Sequence, residues 1–149
     1  MSNTLYKPPI FWEQGKNYLI KKDQKLGSLI KSYPNDFLFT KSDPFLTLAR
    51  SIVGQQISVK AAQSVWNRLE IKIKKVTPQN IKKMHSNSLK SVGLSRQKVQ
   101  YLKNLSDAFN NKKIKIKLWS KMSDEDIIQD LIQIKGIGRW TAEMFLIFN

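Results

Sequence analysis

At 149 residues with 41% hydrophobic content, the chain is long enough for one domain with a real core. Its 26 Lys and Arg against 11 Asp and Glu leave a formal charge of +15, which favours a polyanionic partner such as nucleic acid. Lack of cysteine excludes disulfides, thiolate zinc sites and iron–sulfur clusters within the chain, and no apolar run approaches a membrane span, so a soluble cytoplasmic protein is expected.

Residues 10–33 carry two weakly amphipathic helical stretches, with Phe11, Trp12, Tyr18 and Leu19 in the first and Leu26, Leu29 and Ile30 in the second. Residues 34–41 form a connection in which Phe37 and Phe39 alternate as in an extended segment. Asp43-Pro44 is a helix start, an N-cap followed by proline at the first helical position, and Phe45, Leu48, Ala49 and Ile52 form its stripe. This helix stops at Gly54-Gln55-Gln56, a tight polar bend. Ser58 then caps a helix whose predicted buried face is Ala61, Ala62, Val65, Trp66 and Leu69.

Thr77-Pro78 opens another short helix, and the lone histidine, His85, has no carboxylate near it in sequence and reads as a surface or capping residue. Gly93 interrupts, and Ser95 caps a helix carrying Val99, Leu102, Leu105 and Phe109. Ser123 with Asp126 resembles an acidic capping box. No low-complexity linker or repeat divides the chain, which reads as a single all-α domain over 1–149.

The last stretch is the most informative. Ile127, Ile128, Leu131 and Ile134 recur at helical spacing, Gly136-Ile137-Gly138 breaks the pattern, and Met144, Phe145 and Phe148 resume it. This is the pattern of a helix-hairpin-helix over about 124–148. Both glycines can take positive φ and present no side chain, so their amides, at the start of the second helix, can approach a phosphate oxygen. Such a hairpin grips a DNA backbone without choosing a sequence. The same glycines also read as a plain tight turn, the first of them ending the preceding helix. Arg139, Trp140 and Thr141 weigh against that, because a cation, a flat ring and a hydroxyl follow the turn directly.

Charge supports the clamp less strongly, since only Arg50, Arg68, Arg96 and Arg139 are arginines in a chain rich in Lys, Ile and Asn. Compositional drift produces the same total.

Three ordered blocks carry a family resemblance. They are Phe45-Leu-Thr-Leu-Ala-Arg50-Ser-Ile-Val-Gly54-Gln55-Gln56-Ile57-Ser58-Val59-Lys60-Ala61-Ala62, then Gly93-Leu94-Ser95-Arg96-Gln97-Lys98, and Ile134-Lys-Gly-Ile-Gly-Arg-Trp-Thr-Ala142. Together they resemble the DNA-3-methyladenine glycosylase II family of the helix-hairpin-helix glycosylase superfamily. The resemblance implies excision of alkylated purines from double-stranded DNA by base flipping. Absence of cysteine sets aside the cluster-bearing glycosylases.

By that resemblance Gln56 is the plug inserted into the duplex, with Gln55 its neighbour; a surface turn is the plainer reading. Trp140 lines the base pocket, where stacking and cation–π attraction hold a positively charged alkylated purine; core packing is its alternative. Trp140 also occupies the position of the nucleophilic lysine in lyase-type relatives, which implies a monofunctional hydrolase. The amides of Gly136 and Gly138 and the hydroxyl of Thr141 bind phosphate. Carbonyls of Ile132, Ile134 and Ile137 share a Na+ or K+ ion, with no other cofactor required. Arg139, Lys60, Arg96 and Lys98 add backbone contacts, unless they are solvated helix faces.

The family's catalytic aspartate is implied beyond the last residue, Asn149, so no catalytic residue is assigned here. After Trp140 the only acid is Glu143, placed four residues from Arg139 as an ordinary helix pair. The ending, Met144-Phe-Leu-Ile-Phe-Asn149, is an apolar helix without a C-cap. The expectation is a fold whose C-terminal part is missing: a fragment, an interrupted gene product, or one piece completed by a second polypeptide, inactive alone. A noncatalytic, sequence-independent DNA-binding module is the contrasting expectation.

Overall fold

A computed structural model describes residues 8–38 and 43–148. Every regular element among them is helical, as an all-α chain requires. They group into two compact units, the first within residues 1–42 and the second over Asp43–Ile147, and the sequence carries no linker signal at that boundary.

In the first unit, α1 (Trp12–Lys22) and α2 (Gln24–Ser32) are separated by Asp23 alone, whose carboxylate accepts from the Leu26 amide at 2.8 Å and so caps α2. Phe11, Trp12, Leu19, Leu26, Leu29 and Ile30 line a cleft between them. Residues 36–38 follow a turn without regular structure, and the Phe39 half of the expected alternation lies outside the described residues.

The second unit starts where the sequence signals it. Asp43 accepts from the Leu46 amide at 3.0 Å at the head of α3 (Pro44–Gly54), and Ser58 from Ala61 at 3.3 Å at the head of α4 (Val59–Ile73). Thr77 caps α5 (Pro78–Lys83) through the Asn80 amide at 3.2 Å. A one-turn α6 (Ser86–Lys90) follows, with exposed His85 at its N-cap position but no side-chain cap bond. Ser95 caps α7 (Arg96–Asn110) and Ser123 caps α8 (Asp124–Ile132), each hydroxyl accepting an amide at 3.2 Å. Each such cap is worth about 1 kcal/mol. Helix α9 (Arg139–Phe148) closes the series.

Between these caps the apolar stripe of each helix turns inward. Leu48, Ile52, Leu69, Ile81, Leu102, Leu105 and Leu131 are completely buried, and Phe45 meets Phe109 edge-on at 5.2 Å. On α4 the buried face is narrower than the sequence suggests: Val65, Trp66 and Leu69 are inside, whereas Ala62 is half-buried and Ala61, in the first turn, is exposed.

A 3-10 helix, Ile116–Lys121, gives no sequence signal because it is too short to show a period. A single buried carboxylate holds it. Asp130 Oδ2 accepts from the Lys115 amide at 2.7 Å and from Trp119 Nε1 at 2.8 Å, while Trp119 packs edge-on against Phe145 at 5.3 Å. The hairpin helices α8 and α9 are thereby braced from behind. Among the described residues, no helix is long and apolar enough to cross a membrane.

Candidate nucleic-acid interface

The turn between α8 and α9 is built to hold its backbone still. Side chains of Ile134 and Ile137 are buried, and the Ile137 amide donates to the Ile134 carbonyl at 2.9 Å. Two neighbours then take the turn's carbonyls: Asn104 Nδ2 donates to Lys135 at 3.1 Å, and Gln55 Nε2 donates to Gly136 at 3.0 Å. With the carbonyls of Lys135 and Gly136 occupied on the protein side, amides remain. Among the described residues no acceptor is bonded to the amides of Gly136, Gly138, Arg139, Trp140 or Thr141, while the Gly138 carbonyl accepts the first bond of α9, from Ala142, at 3.1 Å. Unpaired amides at the positive end of a helix form an anion seat.

The two glycines serve this seat differently. Gly136 has φ +114°, and an added Cβ would lie 2.3 Å from Cγ of Tyr101, so the ring of Tyr101 fills the space that only glycine leaves. Gly138, which can take a positive φ, does not do so; nothing stands within 4 Å of where its Cβ would be. Its missing side chain leaves open approach to the backbone instead.

The bend after α3 faces the same hollow. Gln55, Gln56, Ser95, Gln97, Lys98, Tyr101 and the Gly136–Gly138 turn line a groove of about 410 Å³. Gln56 is exposed and has φ +58°, a left-handed conformation that pushes the side chain out of the helix path. Gln55, half-buried, is the tie between bend and hairpin through the Gly136 carbonyl. The sequence pairs these glutamines; the structure separates their roles.

Trp140 is 68% exposed at the first turn of α9, outside the core formed by the described residues. Thr141, by contrast, is only 6% exposed, so at this seat its amide is the better candidate for an anion than its buried hydroxyl. Lys60 and Arg96, in the first turns of α4 and α7, are both exposed.

Two charges expected to meet DNA are already engaged. Lys98 Nζ donates to the Val53 carbonyl at 2.8 Å, and burial lowers its pKa from the ordinary value. It holds the end of α3 against α7. Arg139 forks onto Glu125, with Nη1 to Oε1 at 3.0 Å and Nη2 to Oε2 at 2.7 Å, and its Nε donates to Glu143 at 2.9 Å. Those bonds from Arg139, then one from Gln129, hold the Glu125 carboxyl down at about 2, while Glu125 first and then Glu143 raise the guanidinium's pKa. Glu143 is thus the helix partner that its spacing indicates.

Three of the carbonyls near the turn suit a monovalent cation in donor chemistry. Those of Ile132 and Ile137 take no backbone hydrogen bond among the described residues, and that of Ile134 has taken only the Ile137 amide.

Sequence reasoning passed over Tyr101, Gln97, Asn104 and Glu125. Tyr101 follows Gln97 at i+4, and Gln97 Nε2 donates to its hydroxyl at 2.6 Å; that spacing was visible, but the glycine it fills was not.

Comparison with known proteins gives the family and the fold. The sequence profile described as "HhH-GPD superfamily base excision DNA repair protein" matches residues 49–143. DNA-3-methyladenine glycosylase 1 of Schizosaccharomyces pombe is 34% identical over 130 residues, covering 85% of this chain and 57% of the relative. The DNA-3-methyladenine glycosylase of Saccharomyces cerevisiae is 33% identical over 149 residues, covering 87% and 50%. The crystal structure of S. pombe 3-methyladenine DNA glycosylase in complex with abasic DNA superimposes with a TM-score of 0.77 at 33% identity, covering 91% of this chain and 69% of that one. The chain spans between half and about two thirds of these relatives' length.

Proposed function

Because the chain belongs to the HhH-GPD superfamily of base excision DNA repair proteins, we propose that the polypeptide carrying it excises alkylated purines such as 3-methyladenine from double-stranded DNA in the cytoplasm. The observation that carries this reading is Trp140, a large ring left 68% exposed on a residue whose own amide is among the unpaired amides of the hairpin. An exposed tryptophan offers a π face, and alkylation at N3 or N7 gives a purine a positive charge for that face to attract. Neutral bases gain only stacking, so the ring discriminates by charge.

In this reading the seat at Gly136 and Gly138 holds a phosphate and fixes the register of the duplex. The groove beside it takes the adjoining backbone, and Gln56, lifted by its positive φ, enters the stack left by the flipped nucleotide. Lys60 and Arg96 add long-range attraction. The carbonyls of Ile132, Ile134 and Ile137 would hold a Na+ or K+ ion, which would add positive potential to the seat. Trp140 provides no amine for a Schiff base, so water adds to the anomeric carbon as the glycosidic C–N bond breaks, the purine leaves with a proton, and the sugar stays in an intact strand. No acid of this chain is given the role of base; Glu143 is held by Arg139.

The test is release of free 3-methyladenine from methylated duplex, by the 149-residue chain and by the same chain extended through its downstream reading frame. Release by the extended form without strand cleavage supports the proposal. No release by either, with equal affinity for methylated and plain duplex, favours the noncatalytic binding module.

A further inference from the structure

The sequence offers Arg139 to the DNA, and the structure withdraws it. Arg139 is the first residue of α9, where a cation opposes the helix dipole and therefore needs a reason to be there. A phosphate contact supplies one reason, but Nη1 and Nη2 each donate to Glu125 and Nε donates to Glu143, which takes three of the five guanidinium N–H groups and both edges that face the hairpin acids. One positive charge thus meets two negative ones, beside Asp124 and Asp126 in the same acidic first turn of α8. Stability does not explain the arrangement well, since these groups are 56%, 53% and 43% exposed and surface pairs contribute little. Its position does: it spans the two helices of the hairpin, joining their first turns beside the unpaired amides.

We propose that Glu125 and Glu143 withhold Arg139 from the DNA, so that the seat grips phosphate through backbone amides alone while Arg139 acts as a positioning residue fixing α9 against α8. The inference deepens the DNA-clamp reading and rests on it. Carboxylates in the same folded hairpin compete for the guanidinium at high effective concentration, so a passing phosphate does not displace them. The seat therefore releases few counterions, and salt sensitivity comes from the lysines elsewhere.

Salt dependence of duplex binding tests this. Glu125→Gln, alone and with Glu143→Gln, frees Arg139 to take one more phosphate. The slope of log affinity against log salt then steepens by about 0.9, an extra three- to fourfold loss between 50 and 200 mM. Asp124→Asn removes the same charge one residue earlier without touching Arg139, and Arg139→Met in the Glu125→Gln background removes the freed cation. The proposal expects the steeper slope in the two glutamine variants and not in Asp124→Asn, and its loss on adding Arg139→Met. An equal change in Asp124→Asn, or none in the glutamine variants, overturns it. If the unaltered chain's duplex binding survives Gly138→Asp unchanged, the clamp reading itself falls, and this inference with it.

Discussion

Alanine at the two hairpin glycines should produce opposite phenotypes. At Gly136 the methyl group would meet Tyr101 at 2.3 Å from Cγ and 2.6 Å from Cβ, near the root of that side chain, where rotation gives no escape. Forcing a non-glycine residue to keep a left-handed φ costs about 1–2 kcal/mol. Overpacking adds about 1–3 kcal/mol. Gly136→Ala should therefore lose about 2–5 kcal/mol, a large part of the roughly 5–15 kcal/mol that holds such a domain. At a urea dependence of about 2 kcal/mol per molar, the midpoint falls by about 1–2.5 M.

Gly138→Ala meets nothing within 4 Å. Lower unfolded-state entropy and a poorer N-cap act in opposite senses, so stability should stay within about 1 kcal/mol. Duplex affinity should nevertheless drop by about tenfold, because hydrogen bonds to a charged group are worth about 1.5–3 kcal/mol and the methyl group holds the phosphate off. Urea melts and fluorescence anisotropy on a short duplex measure both. A loss below 1 kcal/mol in Gly136→Ala, or unchanged binding in a folded Gly138→Ala, refutes the reasoning.

Other substitutions separate recognition from folding. Trp140→Ala should change stability by no more than about 0.5 kcal/mol, as an exposed residue, yet abolish any preference for alkylated over plain duplex in competition binding. At Gln56, whose φ is +58°, glycine should be more stable than alanine by about 1 kcal/mol in thermal melts, and both should lose the gain in affinity for a duplex with a flipped or missing base. Glu125 should titrate near 2 by carboxyl NMR. Because that value lies below the ordinary 4.5, the ion pair's contribution is complete above about 4.5 and disappears as pH falls toward 2; Arg139→Met should raise the group's pKa toward its ordinary range, with the Gln129 bond still lowering it.

How much of this was readable in the sequence depends on the range of each interaction. Asp43, Ser58, Thr77, Ser95 and Ser123 act on amides three residues ahead, and each cap stands where local sequence places it. The hairpin was legible for the same reason, since two glycines interrupt an otherwise continuous helical period. Roles set by distant partners were not. Gln55 and Gly136 are 81 positions apart, Lys98 and Val53 are 45 apart, and Arg139 and Glu125 are 14 apart, so nothing local reveals that these polar groups are engaged. The 3-10 helix was missed because its fold-back depends on one carboxylate, Asp130, supplied by the following helix.

The central claim is that the hairpin's backbone amides hold DNA. An amide-resolved NMR titration of the 149-residue chain with a short duplex tests it most directly. The account predicts that the amides of Gly136, Gly138, Arg139 and Trp140 shift first and most, together with Gln56. Shifts confined to the lysine-bearing faces of α1, α2 and α4, with the hairpin amides unmoved, would contradict it.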